Sequence, residues 1–486
     1  MTSTEPQTRN LLIAFSIVLV ASLLTGVAGY WYFLAGIPAL ALYGYLAVVD
    51  FKKIFFLLLA FLPLTVEVWL PNGVVTDLPT EPMMVGMMGI YFLYVLKRGK
   101  GMLANFVRHP IALLLLLHLG WMFFTVVTSE AFVISFKFFL AKIWYVTTFF
   151  FLAGTLLKTE KDVKSIIWVV LVPLVFTILY VLVRHASYGF SFAGVNKVMF
   201  PFYRNKVAYA CMLSIFLPFV WMGRGWYRKF SLPWWTLLGA ALLLLVGIQF
   251  SYTRAAYLTL ALAAGSYFVV KWRLMKIVLG VAAIGSVLFV ATQLNHRTWL
   301  DEKPTYEKTI THERFDDLLS ATTKGRDVST MERVYRWVAG GHMVAQKPVL
   351  GFGPGTFTKF YKSYTVTGFT TYVSSNPEGS GIHSYYLMTF VEQGAVGGLL
   401  FLALVAFVLL KAEVIYHQTT DPDRRRIVMM VILTTVVIDG LLLMNDLVET
   451  DKTGSFFFMC MALLINADIK NKKQGEMNSE ERPEEG

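Results

Sequence analysis

Arg204, Arg254 and His383 stand out by type and place, because each lies where the chain is about to enter an apolar run. A guanidinium meets two phosphate oxygens at once and keeps its charge at physiological pH, so two of them suit a diphosphate. A neutral imidazole accepts a proton near pH 7. Arg254 ends the short connection 251–254 between the apolar runs 234–250 and 255–270, beside the hydroxyls of Ser251, Tyr252 and Thr253. Arg204 has the same placement in FYRNKVAYA, with Asn205 next to it. A snorkelling interfacial arginine is the plain alternative for either. A lone histidine is more often structural, and His118 within LLLLLHLGW is read that way, as one interhelical hydrogen bond. His383 differs in following the polar stretch SSNPEGSG and preceding the apolar YYLMTF.

Glu392 comes nine residues after His383. At ~100° per residue of helix it falls on the opposite face, so the two are not an acid/base pair on one straight helix. An intramembrane carboxylate is a functional candidate by default, and a contact to a neighbouring helix is an equal reading. The same holds for Glu67 and Asp439. GFGPGTF, residues 351–357, lacks the third glycine of a dinucleotide loop and carries Pro354. It reads as a tight turn that lets backbone approach the membrane site. Cys211 and Cys460 lie far apart inside apolar runs and support neither a disulfide framework nor a metal-binding pair.

These residues must be positioned by membrane helices. The 486 residues are 56% hydrophobic and 15% charged, where a soluble chain has about 25% charged. Apolar runs of the ~20 residues a spanning helix needs recur along the chain. About fourteen spans are expected, centred near residues 20, 40, 62, 89, 119, 148, 174, 214, 242, 262, 285, 397, 435 and 460, or twelve to thirteen if two marginal runs drop out. The net charge of +12 would suggest nucleic acid in a soluble chain. Here the cations gather in alternate connections, among them Lys52 and Lys53, Lys158 to Lys164, Arg224 to Lys229, and Arg424 to Arg426. The positive-inside rule makes these cytoplasmic, with both termini inside, and no nucleic acid is implied. Arg204 and Arg254 then lie on the outer side, where topology disfavours cations.

Residues 11–29, after the single cation Arg9, read as a retained first helix. The 89 residues 294–382 form one long outer segment, expected to lie as a lid over the membrane part. Within it STMERVYRWVAGGHMVAQKP reads as a helix opened by a capping box of Ser329 and Glu332 and closed before Pro348. The expected organisation is transmembrane helices over 1–293, the outer loop 294–382, further spans over 383–469, and a charged tail 470–486 that reads as disordered.

The pair Arg204 and Asn205, SYTRAAYL, the R-x-x-x-W of Arg333 and Trp337, KPVLGFGPGTF and HSYYLMTFVEQGAVGG occur in a fixed order. Together they resemble the O-antigen ligase and O-antigen polymerase superfamily, most specifically between residues 204 and 410. The resemblance implies an all-α, polytopic bundle of the GT-C type with one large periplasmic loop, in the bacterial cytoplasmic (inner) membrane. It implies a glycosyltransferase that moves a glycan from undecaprenyl diphosphate to a hydroxyl of lipid A-core, a growing glycan or a protein, with inversion and with no metal or cofactor. By position His383 matches the general base, and Arg204 and Arg254 match the arginines that hold the diphosphate. Asn205, Ser251, Thr253, Arg333 and Glu392 form the supporting set. Ala255 stands where many members have Gly after the arginine. A polymerase is the alternative within the superfamily. A secondary transporter or flippase is the rival from another class, and would carry an internal repeat, of which the sequence gives no sign.

Overall fold

The computed structural model describes residues 50–69, 75–98, 104–296, 327–371, 374–376 and 379–480, with a few isolated positions before residue 50. Two compact units divide the chain, 1–60 and 61–486. The first holds nearly all of helix α1 (Phe51–Phe61), and the expected spans near 20 and 40 lie outside the described residues.

The second unit begins with a correction. The span expected near residue 62 gives way at a 3-10 turn, Leu62–Leu64, where Pro63 cannot continue the hydrogen-bond ladder. At 1.5 Å per residue the 11 residues of α1 cover about half of a ~30 Å hydrocarbon layer. A hairpin follows, β1 (Val66–Trp69) antiparallel to β2 (Val75–Leu78). Glu67 therefore lies on a strand opposite Asp77, not within a membrane helix.

From there on the described chain is almost wholly helical. In order come α2 (Thr80–Arg98), α3 (Pro110–Val127), α4 (Phe132–Val146), α5 (Glu160–Ala186), α6 (Lys206–Gly223), α7 (Leu232–Ser251), α8 (Arg254–Lys271), α9 (Met275–His296), α10 (Val328–Gln346), α11 (Tyr385–Gln418), α12 (Pro422–Leu442) and α13 (Asp451–Glu480). The expected centres from 89 to 460 each fall within one of these helices or its direct continuation; α4 runs on through a π-helical stretch, Thr147–Leu152. Among the described residues eight helices are long and apolar enough to cross a membrane, fewer than the fourteen expected. α2 and α8 are helical but less apolar, and α12 carries Arg425, Arg426 and Asp439 within an otherwise apolar run. The protein is thus an all-α, polytopic membrane bundle.

The lower apolarity of α8 has a packing reason. α8 buries Ala256, Thr259, Ala263 and Ser266 at helical spacing, and this small-residue stripe lets α12 approach closely. Gly440 of α12 meets the Thr259 methyl there. α12 also packs on α6, which packs in turn on α7. α13 is central: 89% of its most apolar window is buried, against 6% for α9 at the periphery. Helix starts follow local chemistry, as at α5, where Thr159 and Asp162 make a reciprocal capping box, and at α12, where Asp421 caps and Pro422 fills the first position.

Two further expectations change. α10 is capped by Asp327, whose side chain accepts from the Thr330 N–H, and not by Ser329 with Glu332. An aspartate one residue before the helix satisfies that amide directly, which frees Glu332 for other partners. The tail expected to be disordered from residue 470 continues α13 to Glu480, with Asn471 donating to Thr419 Oγ1 and Lys470 paired with Glu160; residues 481–486 lie outside the described residues.

Candidate functional site

Ser251 ends α7, Tyr252 takes a left-handed backbone (φ 52°), and Arg254 opens α8. The Tyr252 hydroxyl donates to Phe190 O at 2.7 Å and fixes the turn from the side. The other two hydroxyls, expected to face a ligand, are used within the protein. Ser251 Oγ donates to Ile248 O at 2.6 Å, and Thr253 Oγ1 donates to Ser251 O at 3.3 Å and Lys206 O at 3.4 Å. Serine and threonine near a helix end readily back-bond in this way.

The bond from Thr253 to Lys206 O ties the start of α8 to the start of α6, the helix that Arg204 precedes by two residues. Arg204 is exposed on that turn. Asn205 is occupied as the cap of α6, accepting from Val207 N and Ala208 N at 3.0 Å each. Lys206 lays its ammonium 3.8 Å over the Phe192 ring. Two helix N-termini therefore meet here, that of α6 capped by Asn205 and that of α8 without a side-chain cap.

A third N-terminus joins them. Arg254 Nη2 donates to Asp327 Oδ2 at 2.9 Å, which holds the start of α10 against the start of α8. Asp327 Oδ2 also accepts from Thr330 N at 3.1 Å and Thr330 Oγ1 at 2.6 Å. Burial alone would raise this carboxyl, but the bonds from Thr330 and Arg254 hold it below the usual carboxylate range.

α10 carries Arg333 and Arg336. Arg333 is pressed by burial and by Arg254 away from its charged form, with Asp327 supporting the charge, and its Nε is buried without a hydrogen-bond partner. Arg336 pairs with Glu332 at 3.3 Å and donates to Gly381 O at 3.4 Å. Glu332 also accepts from Thr371 Oγ1 at 2.5 Å and from Ser374 Oγ, which ties both residues to α10.

His383 stands just before α11 with a left-handed backbone, φ 58°. Few residues other than glycine take this conformation without support. The support comes from the connection between α12 and α13. The Asp446 carboxylate accepts from the His383 backbone N–H, and the Tyr385 N–H reaches Asn445 O at 3.2 Å. Gly381 has no room for a side chain, since a Cβ would collide with Asp446 Oδ2. Burial raises the Asp446 carboxyl, against its own backbone N–H and Arg336. For His383 burial, then Arg333 and Arg336, depress the imidazole to about 3. It is therefore neutral at pH 7, with an acceptor nitrogen free of a proton.

Below this level lies an ion pair that no motif had marked. Lys142 of α4 binds Glu449 and, at 3.0 Å, the Tyr385 hydroxyl, which donates to Glu449 Oε1 at 2.7 Å. A lysine inside an apolar run is itself a signal of such a partner.

Glu392 is part of a different construction. α11 breaks at Gly394 (φ 68°, ψ −174°), and the GFGPGTF turn is built into the break. Phe352 N donates to Val391 O at 3.1 Å, Gly353 N to Glu392 O at 2.8 Å, and Ala395 N to Pro348 O at 2.7 Å. The Glu392 carboxylate accepts from Gly355 N at 2.8 Å and Phe357 N at 3.0 Å. Trp121 Nε1 covers Gln393 O at 2.9 Å. The glycine turn does let backbone approach closely, but it approaches the α11 break and not His383. Glu392 accordingly anchors the outer segment.

The structure thus brings Arg254, Asp327, Arg333, Arg336 and His383 into one electrostatic neighbourhood at the starts of α6, α8, α10 and α11. Such a surface attracts a multiply charged anion beside a neutral base. Residues 239–402 match the family model described as O-antigen ligase. The matched stretch runs from within α7 into α11 and includes Arg254, Arg333 and His383, while Arg204 lies before it. No curated protein matches the chain.

Proposed function

From its place in the O-antigen ligase superfamily, carried by residues 239–402, we propose that this multi-pass membrane protein transfers a glycan from undecaprenyl diphosphate to an acceptor hydroxyl on the periplasmic side of the inner membrane. The observation that supports this reading best is the convergence of Arg254 and Arg333 with the neutral His383.

The acceptor oxygen attacks the anomeric carbon while its proton passes to the His383 imidazole. The bond from that carbon to the diphosphate oxygen breaks, and the diphosphate leaves with the electron pair. Attack opposite the leaving group inverts the anomeric centre. Arg254 and Arg333 meet the charge that grows on the diphosphate, and the uncapped first turn of α8 adds a partial positive charge. Arg204, exposed beside the start of α6, is the outer member of the clamp.

The depressed imidazole fits this sequence of events. Besides burial, Arg333 and Arg336 disfavour its protonated form, and a bound diphosphate offsets their charge. Donor binding therefore raises the basicity of His383 when a proton is to be taken.

The test uses purified protein, lipid-linked glycan and acceptor. His383→Ala is expected to slow transfer by about 10²–10⁴ and Arg254→Ala by about 10²–10³. Full transfer by either variant removes the role given to that residue. Product length separates the two activities of the superfamily: a single linkage marks a ligase, a ladder a polymerase.

A further inference from the structure

A site that gathers cations for an anion also holds a carboxylate. The Asp327 side chain is 4% exposed, and its Oδ2 meets both Arg254 and Thr330. Capping α10 accounts for the bonds to Thr330, but that task does not require an acid, since asparagine and serine cap a helix equally well. What aspartate alone adds is a negative charge against the Arg254 guanidinium. That charge occupies one of the faces a phosphate would use, and it repels any anion drawn in by Arg254 and Arg333.

The repulsion is unequal for substrate and product. The donor's diphosphate is esterified at both ends, whereas the polyprenyl diphosphate released after transfer has one free end and carries more negative charge. Cations alone would hold the product more tightly than the donor and leave the site blocked. A fixed carboxylate opposes the more charged ligand more strongly.

We propose that Asp327 is a specificity-determining residue that competes with the diphosphate for Arg254, so that the site releases the bare polyprenyl diphosphate product. This rests on the reading of Arg254 as a diphosphate ligand given above. Asp327→Asn and Asp327→Ser keep the cap and remove the charge.

Farnesyl diphosphate, a short product-like probe, is titrated by calorimetry into the wild-type protein, the two Asp327 variants and Arg254→Ala, all in detergent. Both Asp327 variants are expected to bind it about tenfold tighter than wild type, the scale of one partly exposed charge interaction. Farnesyl monophosphate should gain less. If Asp327 merely held Arg254 in place, the variants would bind more weakly. Equal or weaker binding, with Arg254→Ala weaker than wild type, overturns the role of Asp327. Loss of folded protein in both variants overturns it equally, because only the charge has been removed. Arg254→Ala binding as tightly as wild type overturns the reading of the site instead.

Discussion

Near its N-terminal end α10 makes a charged contact with the transmembrane helices, Arg254 to Asp327, in which the arginine side chain remains 24% exposed. At its C-terminal end the chain that leaves it is spliced into the break of α11 by three main-chain bonds, two bonds to the Glu392 carboxylate and the nearby Trp121 cap. Only the arginine end of this pair reaches solvent, and from there the contact is exchangeable for another anion. A set of buried amide bonds is not, because each group left without its partner costs about 1–3 kcal/mol. The first junction is therefore the easier of the two to part.

Substitutions at the splice should be far more damaging than those at the ion pair. Gly394→Val forces a branched residue into φ 68° and drives its Cβ into Val349 O. The cost should be about 3 kcal/mol or more, seen as loss of monodisperse protein after extraction. Glu392→Ala strands the amides of Gly355 and Phe357 and should cost about 2–4 kcal/mol in a melting experiment, with Glu392→Gln recovering part. At the other junction Asp327→Ala should cost only about 1 kcal/mol, the loss of a cap, and Asp327→Asn almost nothing. A melting loss for Asp327→Asn as large as that for Glu392→Ala would erase the distinction.

The smallest effect concerns pH. The role proposed for His383 requires its neutral form, present only above a pKa that burial, then Arg333 and Arg336, depress to about 3. In wild type the acid limb of kcat/KM assigned to His383 should thus lie near pH 3. Arg336→Gln removes the smallest of the three depressing causes, so its limb moves up while burial and Arg333 still hold it below the ordinary histidine range. The ratio of activity at pH 4 to that at pH 7.5 should be lower in the variant than in wild type. Equal ratios would mean that Arg336 does not act on the imidazole.

Much of this was readable from sequence where a local rule decides the outcome. From residue 80 on, the described runs of ~20 apolar residues gave helices at their expected centres, and Arg254, singled out as a cation out of step with the expected topology, lies beside Asp327 and Arg333. Pairings across the fold were not readable. Asp327 lies more than seventy residues from Arg254, and nothing local marks Asp446 as the acceptor for the His383 amide. Glu392 was ambiguous because helical periodicity assumed a straight helix, and the Gly394 break removes that premise. The hydroxyls of Ser251 and Thr253 misled for the opposite reason, since residues near a helix end satisfy neighbouring carbonyls before any ligand arrives. Pro63 was the local signal against a span near 62, outweighed in the reading by hydropathy.

The break at Gly394 cuts α11 into a short outer piece, from Tyr385 to Gln393, and a long inner one. The outer piece begins two residues after His383 and ends at the splice, so it shares a chassis with α10 and the arginines α10 carries. The same piece is held from the other side by the α12–α13 connection, through Asp446 on the His383 N–H and Glu449 on the Tyr385 hydroxyl. His383 therefore sits between two separate anchors, and loosening either one alone leaves the other to keep its place.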